Sequence, residues 1–228
     1  MGFGYEAVSI EGFVQQLAIS YIGHGYWFYV TGVVPERKDP RRVDEKLLEQ
    51  YDARLSKWAR ARRRRACLAN VQYIRHGRFF VLIASRGRHR FFEDEPNHKD
   101  VRRDPIRFCG YSIGYRMGVD RRMHPSVRIH PEEYRKIKAY LLSIACHRSV
   151  EKLIGEFRRI RFEPYAPVRR QLLNLLRAVN RLRAAAGFEP VPVSTLRLRR
   201  RVVKPFGEPH PASCTPIQRP VLEPAAAA

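Results

Sequence analysis

Hydrophobic spacing predicts a helix and then a strand at the start of the chain. Ser9 is a suitable N-cap, and apolar residues recur at helical spacing from Phe13 to Tyr21. Glycines at 23 and 25 end this pattern. The following run, 26–34, is aromatic and β-branched on both faces, which is typical of a central strand.

A longer helical pattern covers 39–66, with a break near Tyr51 and Asp52. Asp39 and Pro40 are a favourable start, because an acidic N-cap precedes a proline in the first turn. The spacing also predicts a buried stripe on this helical region. Its members are Val43, Leu47, Tyr51, Leu55 and Trp58.

The middle of the chain has the patterns of strands. The runs 68–75 and 78–85 flank His76-Gly77, and two strand-like runs around a two-residue turn with glycine predict a β-hairpin. The run 106–116 alternates in a two-residue period, which predicts one further strand. A short strand is predicted at 127–130.

The C-terminal part is dominated by helical patterns. Helices are predicted from 131, from a cap at Ser149, and over 167–186 with Gly187 as its C-cap. The run 196–203 has the pattern of a final strand.

This order of elements predicts an α+β fold, with a ferredoxin-like sheet and packed helices followed by a helical C-terminal subdomain. We expect an α+β ferredoxin-like domain over 1–130 and a helical basic subdomain ending in a strand over 131–204. The proline-rich segment 205–228 lacks the apolar residues needed to offset ordering entropy, which predicts a disordered tail.

Composition limits the class of protein. The 228 residues are 44% hydrophobic, enough to fill a core, so the chain as a whole is not expected to be disordered. Neither a membrane span nor a signal peptide is predicted, because long apolar runs are missing from the sequence; we therefore expect a cytoplasmic location. The four cysteines are far apart without a Cys-x-x-Cys pair, which predicts reduced thiols.

Charge points to a partner class. The chain has 44 Lys and Arg against 22 Asp and Glu, a net charge of +22. Residues 1–36 contain no Lys or Arg, whereas 37–65 and 149–207 hold most of the excess. Such an excess favours a polyanionic partner, nucleic acid above all, and no membrane. An arginine-rich genome is the alternative source of the arginines, although it does not explain the shortage of acids.

The predicted helix over 167–186 has the sharpest basic pattern. Arg170, Asn174, Arg177 and Arg181 are spaced by 4, 3 and 4 residues, so they form one stripe opposite the leucines. Arginines in such a row suit phosphate groups. The alternative is an ordinary solvated helix face; the lack of acids in the stripe favours phosphate contact.

Two further arginine clusters are candidates for phosphate contacts. The first ends the helical region over 39–66, where cations also complement the helix dipole. Its members are Arg60, Arg62, Arg63, Arg64 and Arg65. The second would share one face of the final strand, where neighbouring like charges favour a bound anion or protect an exposed edge. Its members are Arg197, Arg199 and Arg201.

Aromatic residues near the predicted sheet are either stacking platforms for bases or parts of the core. They are Tyr26, Tyr73, Phe79, Tyr111 and Tyr115. The aromatic content of 11% favours the core for most of them.

Three segments together resemble the HUH-type nucleases, which are rolling-circle replication initiators and single-tyrosine transposases. They are FYVTGVVP at 28–35, LSKWARARRRR at 55–65 and NVQYIRHGRFFVLIA at 70–84, within 26–116. The resemblance implies a nucleic-acid context and a bacterial mobile-element, plasmid or defence setting. In that family a histidine pair binds a metal that polarises the phosphate for a tyrosine nucleophile. Here Arg78, Phe79 and Phe80 occupy that place, so the metal is not implied.

The leading hypothesis is therefore a nucleic-acid-binding protein without cofactor or metal. One alternative is a nuclease or transposase acting on single-stranded DNA or RNA, and another is a structural RNA-bound protein. The nuclease alternative has four catalytic candidates. They are His24, His76, Tyr134 and Tyr140. Only this alternative calls for Mg²⁺, for which the acidic segment 91–104 offers oxygen ligands; otherwise the segment is a solvated loop.

Overall fold

The computed structural model describes residues 4–118 and 120–207. They form two compact units. Unit 1 holds 4–109, 113–118, 120–126 and 203–207, and unit 2 holds 110–112 and 127–202. Helices and antiparallel strands are both present, which confirms the α+β class.

The start of unit 1 is the predicted helix, α1 (Ile10–Gln15). Ser9 caps it as predicted, because its Oγ accepts a hydrogen bond from Gly12 N at 3.0 Å. The chain continues as a π-helix over Gln16–Tyr21 and a 3-10 turn over Ile22–His24. Gly25 then ends the helical segment with a φ of 87°, which a residue without Cβ adopts readily.

The centre of unit 1 is an antiparallel sheet in the order β2-β3-β1-β4. Its strands are β1 (Tyr26–Val33), β2 (Val71–His76), β3 (Phe79–Ser85) and β4 (Lys99–Asp100). β1 lies inside the sheet, as its apolar faces predict. The hairpin of β2 and β3 is confirmed, although His76 pairs with Phe79, so the turn lies one residue later than predicted.

Helices of unit 1 flank this sheet. They are α2 (Pro40–Gln50), α3 (Lys57–Arg65) and α4 (Phe91–Asp94). The break near Tyr51 is confirmed, and Leu48 and Tyr51 pack with Tyr73 and Leu82 of the sheet in one apolar cluster. The predicted buried stripe is wrong at Trp58, which is 78% exposed. The break between α2 and α3 resets the helical phase, so spacing counted across it fails.

From β1 to β4 the element order in unit 1 is β-α-α-β-β-α-β. The ferredoxin-like motif is defined by the order β-α-β-β-α-β. The second half is short here, because α4 has four residues and β4 has two. The ferredoxin-like assignment stays a prediction.

A second sheet has three strands in the order β5-β6-β7. They are β5 (Ile106–Phe108), β6 (Tyr111–Met117) and β7 (Met123–Ile129). The prediction of a single strand over 106–116 is wrong. Cys109 and Gly110 have φ values of 44° and 78°, the left-handed pair that a two-residue hairpin turn requires. The strand predicted at 127–130 is the end of β7.

Unit 2 contains three helices, all of them predicted. They are α5 (Pro131–Ile144), α6 (Val150–Arg159) and α7 (Ala166–Ala185). A 3-10 turn follows over Val193–Thr195. The strand predicted over 196–203 is wrong, because that segment pairs with no strand among the described residues. Leu196 and Leu198 instead pack on the helical core, which produces the strand-like alternation of apolar and polar residues.

The predicted tail lies mostly outside the described residues. Where it begins, Pro205 O accepts a hydrogen bond from Val8 N at 3.1 Å, so the start of the segment is held in unit 1 rather than disordered. Of the described helices, none combines the length and the apolar character needed to cross a membrane.

Gly87 lies in the tight connection after β3, where an added side chain would meet the backbone of a neighbouring segment. Its φ is 134°, and a Cβ there would lie 2.5 Å from Ala69 N and 2.7 Å from Cys67 O. We expect Gly87→Ala to lower the free energy of unfolding by about 2–3 kcal/mol in urea titrations. Gly77→Ala is the matched control, because Gly77 has positive φ but open space, and should cost about 1 kcal/mol. Equal losses would show that the backbone contact does not matter.

Candidate nucleic-acid interface

The predicted stripe on α7 lies on the solvent side of that helix. Arg170, Asn174, Arg177 and Arg181 are all exposed. The opposite side is buried in the core of unit 2, as predicted. Its members are Val168, Leu172, Leu175, Leu176 and Val179. Burial of that side fixes the rotation of α7, so the four polar side chains form a row about 16 Å long at the helical rise of 1.5 Å per residue.

Part of this row lies along a shallow depression of about 510 Å³. Arg169, Arg170, Asn174 and Arg177 line it together with Ala166 and Leu173. α7 contains no Asp or Glu. The depression therefore offers three guanidinium groups and one amide, which are donors suited to phosphate oxygens. Arg169 was missed by the sequence analysis, although its spacing of four from Leu173 places both on one face.

Another arginine of α7 has a different environment. Arg183 is 3% exposed, and it was not distinguished from its neighbours by the sequence. Its Nη1 donates to the carbonyl oxygens of Ala145 and Arg148, at 2.7 and 3.0 Å. Its Nε donates to Glu189 O at 2.6 Å. Arg183 thus ties three chain segments of unit 2 together and is not part of the exposed row.

The arginine cluster on α3 is only partly free to bind a partner. Arg63 forms an ion pair with Asp52 at 3.2 Å, and Arg60 Nη1 donates to Leu55 O at 2.5 Å. Arg64 Nη2 contacts His24 O at 3.4 Å. Arg62 and Arg65 are exposed. The cluster lies at the C-terminal end of α3, where its charge also complements the helix dipole.

The three candidate arginines in 197–201 differ in their contacts. Arg197 Nη2 donates to Oε1 of Glu163 at 2.8 Å, and Glu163 is 7% exposed. A buried carboxylate needs a counter-charge, so Arg197 serves the fold. Arg199 and Arg201 remain exposed. Arg200, which the strand pattern assigned to the other face, lies 4.9 Å from the Tyr165 ring centroid in a cation–π contact.

The two histidine candidates have local contacts. His76 is half-buried beside the rings of Phe13 and Phe108, and its Nδ1 lies 2.8 Å from Ala7 O. Because a carbonyl oxygen can only accept, Nδ1 is the donor in this contact. His24 Nδ1 lies 3.1 Å from Ile19 O in an exposed turn.

The tyrosine candidates lie on α5 against the core of unit 2. Burial raises the pKa of Tyr134. Burial is also the first cause that raises the pKa of Tyr140, followed by the nearby carboxylate of Glu156. A nucleophilic hydroxyl is activated by a lowered pKa or by an adjacent base. The raised pKa of Tyr134 opposes the role, whereas Tyr140 has the Glu156 carboxylate beside it as a base although its own pKa is raised.

The aromatic residues considered as stacking platforms lie mainly in the core. Tyr26, Tyr73 and Tyr111 are buried, and Phe79 and Tyr115 are half-buried. The core alternative therefore holds for the buried three. Packed residues cover both faces of the sheet in unit 1. On one face Tyr73 belongs to the apolar cluster that includes Leu48 of α2, and on the other face Phe79 packs against Phe13 of α1.

Acidic residues of the segment 91–104 form ion pairs with cations inside it or next to it. Asp94 pairs with Arg90 at 3.3 Å, and Lys99 pairs with Asp104 at 2.8 Å. Arg102 Nη2 lies 2.6 Å from Asp100 Oδ2. Burial is the largest single influence on the pKa of Asp100 and raises it, but the hydrogen bonds and charge of Arg102 outweigh burial, so the pKa is lowered. Among residues 4–118 and 120–207, no group of three His, Cys, Asp or Glu residues is placed to share a metal ion.

Comparison with known proteins gives no family assignment: no family model, no curated protein and no solved structure matches this chain.

Proposed function

We propose that this protein binds nucleic acid, with α7 as its principal phosphate-contacting surface. The observation that carries the proposal is the exposed row on α7, a 20-residue helix without an acidic residue. Over 127–202 the chain has 18 Lys and Arg against six Glu, so the field around this row attracts polyanions. A row of about 16 Å spans about five base-pair steps of a duplex.

Exposed arginines elsewhere add candidate contacts. Arg62 and Arg65 on α3 and Arg199 and Arg201 near the end of unit 2 are exposed, as are Arg64 and Arg197, which also contact His24 and Glu163. The resemblance to HUH-type nucleases is the ground for a bacterial mobile-element, plasmid or defence setting. Sequencing the nucleic acid that copurifies at low salt tests this setting, because ribosomal RNA would instead support a structural RNA-bound role.

The salt dependence of binding tests the α7 surface. Each phosphate contact contributes about 0.9 to the slope of log K against log salt on duplex DNA, so Arg170→Gln, Arg177→Gln and Arg181→Gln together should reduce the slope by about three. At about 100 mM salt the affinity should fall about 10²- to 10³-fold. Fluorescence anisotropy with labelled duplex DNA, single-stranded DNA and RNA of one sequence measures both quantities.

A variant that removes the same charge from another helix tests whether the α7 surface itself, and not the net charge of the protein, determines binding. Arg135, Lys136 and Lys138 are exposed cations on α5 of the same unit, and glutamine at all three positions removes the same net charge. Its slope should change by less than about one. An unchanged slope in the α7 variant, or an equal loss in the α5 variant, would refute the assignment of α7.

A further inference from the structure

Unit 1 contains a polar pocket of about 530 Å³ that the arginine patterns did not predict. The π-helix after α1, the strands β1 and β2, and the N-terminal end of α3 supply its walls. It is lined by Gly4, Gln16, Ser20, Tyr21, Tyr26, Arg54, Leu55, Ser56, Lys57, Arg60, Gln72 and Phe206. Its size is within the range of small-molecule sites.

The inner wall of the pocket holds hydrogen-bonding groups on buried residues. Tyr21, Tyr26 and Gln72 are each 5% exposed. Gln72 Nε2 lies 3.5 Å from Tyr26 Oη, a long contact that leaves the amide able to serve a second partner. Burial raises the pKa of Tyr21 to about 12, so its hydroxyl remains protonated and can donate a hydrogen bond at neutral pH.

The rim of the pocket is cationic. Arg54, Lys57 and Arg60 line it, and no Asp or Glu is among its lining residues. Arg60 is positioned by its hydrogen bond to Leu55 O. Ser56 and Lys57 are the N-cap and first residue of α3, where the helix dipole also favours an anion. Three cations and a helix start around one pocket are an arrangement suited to a doubly charged phosphate.

The remaining lining residues suit the rest of a nucleotide. The half-buried ring of Phe206 and the half-buried side chain of Leu55 provide aromatic and apolar surface. Bases stack on such surfaces, and the volume exceeds what a phosphate alone would occupy. We propose that this pocket binds a nucleotide through its terminal phosphate monoester, either as a free mononucleotide or as the 5′-phosphorylated end of a strand. Only the second source rests on the proposed nucleic-acid function.

Calorimetric titration with adenosine 5′-monophosphate at low salt tests the pocket. The nucleotide should bind at least about ten-fold more tightly than adenosine, because only the nucleotide carries the charged acceptor. Arg54→Gln with Lys57→Gln should weaken nucleotide binding by at least about ten-fold. Both residues are exposed, so the variant is expected to fold, and circular dichroism checks this.

The control changes two cations of α3 that do not line the pocket. Arg62→Gln with Arg65→Gln removes the same net charge and should change nucleotide affinity less than about two-fold. Equal binding of adenosine and its monophosphate would overturn the proposal. So would an equal loss of affinity in the two charge variants.

Oligonucleotide binding distinguishes a free mononucleotide from a 5′-phosphorylated strand end as the ligand. It is measured with the α7 triple glutamine variant, where the α7 contacts are removed. Tighter binding of a 5′-phosphorylated strand than of its 5′-hydroxyl form supports the strand end. Binding of the mononucleotide alone supports the free nucleotide. Loss of DNA binding in the α7 variant with unchanged mononucleotide binding supports the pocket as a separate site. Absence of mononucleotide binding alongside normal DNA binding overturns the pocket and leaves the proposed function standing.

Discussion

Arg75→Met is expected to lower the free energy of unfolding by about 3–5 kcal/mol. Arg75 in β2 is 3% exposed, and its Nε donates to both carboxylate oxygens of Asp44, at 2.9 and 3.0 Å. Asp44 in α2 is 0% exposed. Methionine fills much of the volume of the arginine stem but leaves a buried carboxylate without its counter-charge. That uncompensated charge is the physical cause of the loss.

The surrounding groups add to the effect. Arg75 also pairs with Glu6 at 3.0 Å and donates through Nη1 to Gly77 O. Tyr73 Oη donates to Asp44 Oδ1. Burial first, and then this hydrogen bond, raise the pKa of Tyr73, so its hydroxyl remains a donor. Truncating Arg75 therefore leaves the buried carboxylate of Asp44 without its counter-charge and with fewer hydrogen-bond donors, which carries a desolvation cost.

Tryptophan fluorescence during urea unfolding measures this loss, since Trp27 and Trp58, the two tryptophans of the chain, both belong to unit 1. Asp52→Asn removes the surface pair with Arg63 and is the control, with an expected change of at most about 1 kcal/mol. Asp44→Leu combined with Arg75→Met should cost less than the sum of the single changes. A loss from Arg75→Met no larger than that of Asp52→Asn would contradict the role of the pair.

Short-range patterns predicted the parts of the fold that depend on neighbouring residues. α7 and its exposed row follow from one amphipathic period, because the leucines that face the core fix where Arg170 and Arg177 point. Ser9 and Ser149 cap their helices as predicted, since each cap needs only the three following residues. These features require no knowledge of distant segments.

Tertiary contacts explain what the sequence could not show. Asp44 and Arg75 are 31 residues apart; Asp44 belongs to a run that contains many charges, and Arg75 is the single charged residue of the run 68–75. Only the packing of α2 on the sheet distinguishes this pair from the surface ion pairs. Similarly, Arg197 and Arg199 look alike in sequence and are both exposed, and the ion pair with the buried carboxylate of Glu163 distinguishes Arg197.

Two errors have local physical causes that a sequence pattern hides. The alternation over 106–116 hides the turn at Cys109 and Gly110, where the buried positions shift from even numbers, Ile106 and Phe108, to odd numbers, Tyr111 and Ile113. The alternation over 196–203 is genuine, but strands require a hydrogen-bonded neighbour, and this segment packs on helices instead. Periodicity reports which side chains are buried, not what buries them.

Arg183→Met is expected to lower the free energy of unfolding by about 3–5 kcal/mol. Its three hydrogen bonds, to carbonyl oxygens of Ala145, Arg148 and Glu189, connect the end of α5 and the segment after α7. The guanidinium also lies 5.4 Å from the ring centroid of Phe188. Methionine removes these donors and leaves the buried carbonyl oxygen of Ala145 unsatisfied. Urea titration followed by far-ultraviolet circular dichroism measures the loss, because unit 2 is rich in helix.

Arg181→Met is the matched control, since Arg181 is an exposed arginine two residues away on the same helix. It should change stability by less than about 0.5 kcal/mol and yet weaken nucleic-acid binding by about ten-fold at about 100 mM salt. Arg183→Met should do the reverse, with nearly unchanged binding under conditions where the variant is folded. The two substitutions remove the same charge from the same helix, so only burial separates their effects. A variant of Arg183 with native stability, or one with the binding defect of Arg181→Met, would show that the buried contacts do not distinguish these arginines.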